Sequence, residues 1–363
     1  MDKLEKFQYI ISTSSKKQFK HTILVVDDEK DNLQLLERTF KKEYNVISAQ
    51  SGQQALEIVE KFGNDISLIL SDQRMPDMTG VDFLAGTIEK YPYIIKMLLT
   101  GYTDIEAMID GVNKCQLFQY ITKPFDTEEL LIIIKNGINA YELKLSKNTL
   151  LQDLKELFFT TIKSITNALD AKDTYTHGHS HRVTLYSLII SKELDMEENF
   201  IKEIEIAGLL HDIGKVGVPE EILCKPGRLT NEEYDIIKLH PGCGKKILNG
   251  IRKFSNISSW INSHHERWDG CGYPNGLKDE EIPLPARILA IADTYDAMTS
   301  NRPYRQGLPH QVALEEIINC AGSQFDPKLV KIFSNVEHIF RKAVENPGQY
   351  YNEYSILNKI LEV

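Results

Sequence analysis

The 363-residue chain predicts a doubly wound, parallel, five-stranded α/β domain at its N-terminus, then a helical linker and an all-α domain. Three observations predict it. Short apolar runs ending in polar residues alternate with helical patterns five times before residue 130, the rhythm of a parallel sheet with helices on both faces. Turn chemistry is then nearly absent from Thr127 to Leu169. From Asp170 onward, helical stretches are separated by Pro/Gly loops, with no convincing strand.

The first strand is the run 22–26 (TILVV), followed by Asp27-Asp28-Glu29 and a helical pattern through Leu33, Leu35, Leu36 and Phe40. Residues 44–49 form the second strand and 55–62 a helix. The run 66–71 is a buried strand closed by Asp72, and 81–90 is helical. Residues 94–99 are a strand closed by Thr100, and 104–113 are helical. Residues 118–121 are a strand closed by Lys123-Pro124, with a helix starting near Thr127. In such a sheet the functional residues sit at the carboxyl ends of strands. Beyond Asp170 the helical stretches are 182–194, 198–210, 230–240, 243–250, 254–265, 284–300, 309–320 and 327–343. In the linker Leu143, Leu150 and Leu157 are seven apart and Leu154 joins their seam, while Lys147 interrupts it. Two readings stay open: a helix pairing in a homodimer, or an amphipathic helix packed on its own domain.

Composition narrows the function. Hydrophobic residues make up 42% and charged residues 26%, ordinary for a soluble globular chain. A net charge of −10 argues against DNA, whose binding needs a basic face. The five cysteines are odd in number and form no Cys-x-x-Cys, which points to a reducing compartment without a disulfide framework. The N-terminus lacks the apolar core of a signal peptide, and no run is long enough for membrane insertion. A cytoplasmic protein is expected.

Two sites emerge. Asp27, Asp28 and Asp72 converge on one rim of the sheet, where three carboxylates would bind Mg²⁺. Thr100 and Lys123 end the next two strands and can reach an oxyanion beside that ion. Singly, each strand-end aspartate reads better as a helix cap; the ordered set does not. The second site is a set of histidines and aspartates: His179, His211, Asp212, His240, His264, His265 and Asp293. Imidazole with carboxylate suits a hydrolytic first-row metal. Asp212 can bridge two ions while its neighbour His211 serves one. Gly214, Gly270 and Gly272 are expected to let backbone approach the site closely. Two ions about 3.5–4 Å apart can clamp a phosphodiester for in-line attack.

The first ~120 residues resemble the receiver domain of two-component systems, which has a flavodoxin-like fold. The resemblance rests on Val25-Val26-Asp27-Asp28-Glu29, the run from Ser71-Asp72 to Thr79-Gly80, Leu98-Leu99-Thr100-Gly101 and Tyr120-Ile121-Thr122-Lys123-Pro124-Phe125. It implies Asp72 as phospho-acceptor, Asp27 and Asp28 on Mg²⁺, Lys123 on the phosphoryl group, Thr100 with Tyr120 as the switch, and a sensor histidine kinase as partner. The C-terminal ~200 residues resemble the HD-GYP domain of the HD phosphohydrolase superfamily. Here the matching stretches are residues 173–180, His211-Asp212-Ile213-Gly214-Lys215, Leu239-His240-Pro241, His264 through Pro274, and residues 292–299 with Arg302-Pro303-Tyr304-Arg305. That likeness implies hydrolysis of cyclic di-GMP to the linear dinucleotide or GMP with iron or manganese. The seven residues become metal ligands, Asp212 and Lys215 catalytic, and Tyr273, Arg302 and Arg305 substrate-binding. Members with three metals carry a glutamate where this chain has Tyr175, and Asp170 and Asp173 are out of register, so two ions are expected. The expected boundaries are 21–140 for the receiver, 141–165 for the linker and 166–355 for the HD-GYP domain. Rival readings are another nucleotide substrate, a cyclic di-GMP-responsive interaction module, and an adaptor binding a protein partner at the Gly-Tyr-Pro loop.

Overall fold

The computed structural model describes residues 20–101, 114–172, 178–301 and 306–357. The chain divides into two compact units, Met1–Gln152 and Asp153–Val363.

In the first unit five parallel strands, β1 (Thr22–Val26), β2 (Asn45–Ala49), β3 (Ile66–Asp72), β4 (Ile95–Gly101) and β5 (Gln119–Lys123), lie in the order β2-β1-β3-β4-β5. Period-two alternation divides their side chains between two cores. Ile23, Val25, Leu68, Leu70 and Met97 pack with Leu36, Phe40, Leu130 and Ile134. Leu24, Val26, Ile69 and Leu98 pack with Ala55, Val59 and Phe83. Both faces are therefore apolar, and polar residues collect at the strand ends. The order reverses between β1 and β3, the crevice at which such sheets place their sites. Every expected strand is present within two residues. The helix expected at 81–90 is shorter, Gly80–Ala85, with Gly86 at its C-cap. The helix expected at 104–113 lies outside the described residues.

The predicted linker is part of one helix, Thr127–Lys172, 46 residues long. Asp126 starts it by accepting the backbone N–H groups of Glu128 at 2.8 Å and Glu129 at 3.1 Å. Among the described residues no helix is long and apolar enough to cross a membrane.

The second unit is helical. Its centre is His179–Glu193, which packs against Glu198–Leu210 and Leu284–Thr299. Thr184, Ser187 and Ser191 on this helix are buried because each hydroxyl donates to the carbonyl one turn earlier, at 2.6–2.8 Å. Gly208 allows the close contact with Thr184: a Cβ there would lie 2.7 Å from the Thr184 hydroxyl. The stretch expected as one helix at 327–343 is two, Pro327–Asn335 and Glu337–Glu345. Ser334, Asn335 and β-branched Val336 are weak helix formers, and the break brings the buried rings of Phe333 and Phe340 to 4.7 Å of each other. Buried Glu205 ties down the C-terminal segment, accepting from Tyr351, Ser355 and the N–H groups of Ile356 and Leu357.

One buried cation in the sheet makes the fold testable. Lys96 in β4 lies among apolar residues, its Nζ 3.3 Å from the carbonyls of Tyr91 and Ile94. Burial, aided by the Lys144 charge, pulls its pKa from 10.5 to about 8. Between those values the unfolded chain binds more protons, so this lysine's contribution to stability rises with pH. Relative to Lys96→Met, the wild type gains up to about 1.4 kcal/mol per pH unit across that window. Chemical denaturation of both proteins from about pH 7 to about pH 10, followed by circular dichroism, checks this; a pH-independent difference would refute it.

Candidate metal centre and acid pocket

The acid pocket lies at the carboxyl ends of β1, β3, β4 and β5. Asp27 and Asp72 are buried, Asp28 is exposed, and Lys123 Nζ reaches between the first two. It lies 3.0 Å from Asp27 Oδ2 and in closer contact with Asp72 Oδ1. The N–H groups of Glu29 at 2.9 Å and Arg74 at 3.0 Å hold the two carboxylates in place. Burial raises the Asp72 carboxyl above its ordinary pKa, more than Lys123 lowers it. Burial also pulls Lys123 down, but its hydrogen bonds and charge contacts with Asp72 and Asp27 outweigh it and hold the ammonium above its ordinary value. Thr100 is buried at the end of β4, whereas Tyr120 on β5 is 46% exposed. The Lys123–Pro124 peptide is cis.

The second centre unites all seven predicted histidines and aspartates. Donor atoms of His179, His211 and Asp293 lie within 4.8 Å of one another, as do those of His240, His264 and His265, and those of His211, Asp212 and His264. Asp212 faces both histidine groups. Its Oδ2 is 3.4 Å from His211 Nε2 and 3.7 Å from His179 Nε2, and its Oδ1 is 3.3 Å from His240 Nε2. Asp293 Oδ1 is 3.3 Å from His179 Nε2, and Lys215 Nζ is 2.7 Å from Asp212 Oδ2.

Helix ends set these rings. His211, His240 and His264 each follow a helix (Glu198–Leu210, Asn231–Ile237, Ser255–Asn262), and each Nδ1 bonds a carbonyl three residues back. The acceptors are Gly208 at 2.7 Å, Ile237 at 2.7 Å and Ile261 at 2.6 Å. Last-turn carbonyls lack intrahelical partners, so each ring satisfies one. A carbonyl can only accept, so Nδ1 carries the proton and Nε2 the lone pair. Those three Nε2 atoms are buried without a hydrogen-bond partner. Where Asp212 oxygens approach two of them, acceptor faces acceptor, an arrangement that fits a cation between them. Burial also lowers the pKa of His211 and His264, and that of His265 to about 4, keeping these rings in the neutral, ligating form. Burial would raise Asp212, but Lys215 and the surrounding histidines hold its carboxyl well below the ordinary range.

Close packing makes this possible. A Cβ on Gly214 would lie 1.8 Å from the His240 carbonyl, and one on Gly272 would lie 2.4 Å from the Arg267 nitrogen. Gly270 differs from expectation: it serves a turn, at φ +79°, rather than a close approach. Tyr273 lies at the edge of the centre, donating its N–H to the His265 carbonyl at 3.2 Å with the two rings 4.9 Å apart. Arg302, Arg305, Tyr175 and Asp173 lie outside the described residues. Asp170 is a buried carboxylate that accepts from Gly178 N–H at 2.9 Å and Ser180 Oγ at 3.2 Å, fixing the start of the His179 helix.

Sequence reasoning passed over three residues. Asp296 accepts from His179 Nδ1 at 2.7 Å and from Arg182 Nε at 2.6 Å. Glu266 is buried and takes the N–H groups of Asn275 at 2.7 Å and Leu277 at 3.1 Å, shaping the loop beside His265. Helical spacing held the signal for the first pair: Asp296 is three residues from Asp293, and Arg182 three from His179.

Comparison with known proteins agrees with both halves. The response regulator receiver domain model matches residues 23–135, and the HD domain model matches residues 163–329. A cyclic di-GMP phosphodiesterase of Thermotoga maritima is 35% identical over 342 residues, covering 87% of this chain and 90% of the relative. The cyclic di-GMP phosphodiesterase response regulator RpfG of Xanthomonas campestris pv. campestris is 31% identical over 280 residues, covering 73% and 74%. A 3′3′-cGAMP-specific phosphodiesterase of Vibrio cholerae is 37% identical over 191 residues, covering 52% of this chain and 36% of the relative. HD domains are metal-dependent hydrolases, and the His/Asp centre supplies ligands of that kind. The chain therefore belongs to the response regulators that join an N-terminal receiver domain to a C-terminal HD-GYP domain, the cyclic di-GMP phosphodiesterase family.

Proposed function

We propose that this chain is a response regulator whose output domain hydrolyses cyclic di-GMP at a two-ion His/Asp centre, under control of phosphorylation at Asp72. The observation that carries the reading is the division of Asp212 between two histidine groups, each left with buried, unpartnered ring nitrogens. The ligands are His179, His211, Asp212, His240, His264, His265 and Asp293, and the ions are iron or manganese. When bound, they supply Lewis-acid activation of water and neutralise charge on the phosphodiester. Lys215, held 2.7 Å from Asp212, is placed to orient a phosphate oxygen or to protonate the departing sugar oxygen. Tyr273, Arg302 and Arg305 bind the dinucleotide, with the arginine forks on phosphate oxygens. The first product is the linear dinucleotide, and a second cleavage gives GMP.

In the receiver, taken as residues 21–140, Asp27 and Asp28 hold Mg²⁺ and a sensor histidine kinase supplies the phosphoryl group to Asp72. The added charge and acceptor oxygens draw on Lys123 and Thr100, and with Tyr120 reset that surface. The signal passes along the 141–165 linker to the HD-GYP domain at 166–355, in the cytoplasm. A second substrate reading, 3′3′-cGAMP, is favoured by the identity to the Vibrio cholerae enzyme specific for it; a panel of cyclic dinucleotides separates the two.

Anaerobically purified protein loaded with manganese or iron is expected to cleave cyclic di-GMP, and Asp212→Ala to lower turnover by roughly 10³-fold or more. Wild-type rates in that variant, read by chromatography of products, would sink the site assignment. Asp72→Ala should leave basal hydrolysis in place and remove the response to a small-molecule phosphodonor; a response of unchanged size would refute control through Asp72.

We take the linker helix to pair in a homodimer. Leu143, Leu150, Leu154 and Leu157 are 60–71% exposed, so they do not pack on their own chain. Their seven-residue spacing matches a second copy of the same helix, with Lys147 as the polar seam residue that sets register. Leu150→Glu with Leu157→Glu is expected to halve the mass seen by light scattering; a wild-type protein that is monomeric at high concentration would contradict the pairing.

A further inference from the structure

His179 is set differently from His211, His240 and His264. Those rings follow helix ends, where an orphan carbonyl lies three residues back. His179 opens its helix as His240 does, but it follows Gly178 in the left-handed region at φ +70°. Its Nδ1 bonds a side chain from another helix, Asp296 Oδ2, at 2.7 Å. Asp296 is itself locked: Arg182 donates through Nε to Oδ1 at 2.6 Å and through Nη2 to Oδ2 at 3.1 Å, and Ser300 Oγ donates to Oδ1 at 3.1 Å. All four lone-pair positions of a buried carboxylate are thereby engaged, which fixes its plane and, through it, the plane of the ring.

We propose that Asp296, clamped by Arg182, is the positioning residue for His179, and that it governs one of the two ions, the one shared by His179, His211 and Asp293. This deepens the two-ion reading above and rests on it. The other ion, at His240, His264 and His265, has no link to Asp296 through a ligand of its own set. The two ions therefore differ in one support: backbone carbonyls set His211 on one side and His240 and His264 on the other, and the carboxylate–guanidinium pair acts through His179 on the first side. An outer carboxylate of this kind is worth about 10–100-fold in metal affinity.

The test is a Mn²⁺ titration of the metal-free full-length chain by calorimetry, with excess Mg²⁺ present so that sites built of oxygen ligands are filled. Wild type is expected to take two Mn²⁺. Asp296→Asn keeps the shape and is expected to retain one ion at wild-type affinity while the other weakens by about 10–100-fold. Arg182→Lys keeps the charge but loses the fork, and should weaken the same ion by several-fold; it decides the matter alone if Asp296→Asn fails to fold by circular dichroism. Equal weakening of both ions, or binding unchanged in both, would overturn the proposal. A wild type that takes fewer than two Mn²⁺ would instead overturn the two-ion reading beneath it.

Discussion

Asp212 faces His211 at 3.4 Å and His240 at 3.3 Å, with lone pairs directed at lone pairs in a space closed to solvent. Burying a carboxylate among acceptors is costly unless a positive charge lies beside it. Lys215 supplies one such charge, 2.7 Å from Oδ2. On the other side, Oδ1 and the ring of His240 oppose each other at 3.3 Å. Two divalent ions would relieve both sides of the carboxylate at once, which is why the geometry of this single residue governs the reading of the whole helical unit.

The fold meets that constraint through helix ends. Three helices stop where their last carbonyls can take a proton from an imidazole, and the bond that completes each helix also aims Nε2 at the centre. Stability and site geometry are then the same interaction. The approach of the Lys215 turn to the helix opening at His240 adds a second tie, because Gly214 lies against the His240 carbonyl where no Cβ fits. A methyl group there would separate Asp212 from His240, the two residues whose spacing matters most.

Much of this was legible in the sequence. The strands of the first unit are short apolar runs whose polar terminators, Asp27, Asp72, Thr100 and Lys123, fall on one rim of the sheet. That follows from parallel topology alone. The seven histidines and aspartates were recognisable as a set because adjacent pairs such as His211-Asp212 and His264-His265 have little structural reason to recur. Asp296 was passed over because an aspartate inside a helix reads as a solvated or capping residue; its role depends on His179, distant in sequence, opening a helix across from it. Glu266 was hidden similarly, since the N–H groups it gathers belong to a loop whose path the sequence does not state. The break at Val336 reflects tertiary packing: on one straight helix Phe333 and Phe340 would share a face about two turns apart, and the break brings their rings to 4.7 Å.

The two units share a chemical theme. Each sets a lysine against buried carboxylate: Lys123 between Asp27 and Asp72, and Lys215 against Asp212. Arginine would be a poor substitute in either place. Its rigid fork would lock onto one carboxylate, whereas an ammonium on a flexible stem can exchange partners within the same small volume. In the acid pocket, under the proposed function, that freedom would let the cation move from a carboxylate to an incoming phosphoryl oxygen. In the His/Asp centre, under the proposed function, it would let the cation turn from Asp212 to the oxygens of a phosphodiester. Arg182 follows the opposite logic, because Asp296 must not change partners if His179 is to keep its place. The choice between lysine and arginine thus separates cations placed to switch from a cation placed to hold.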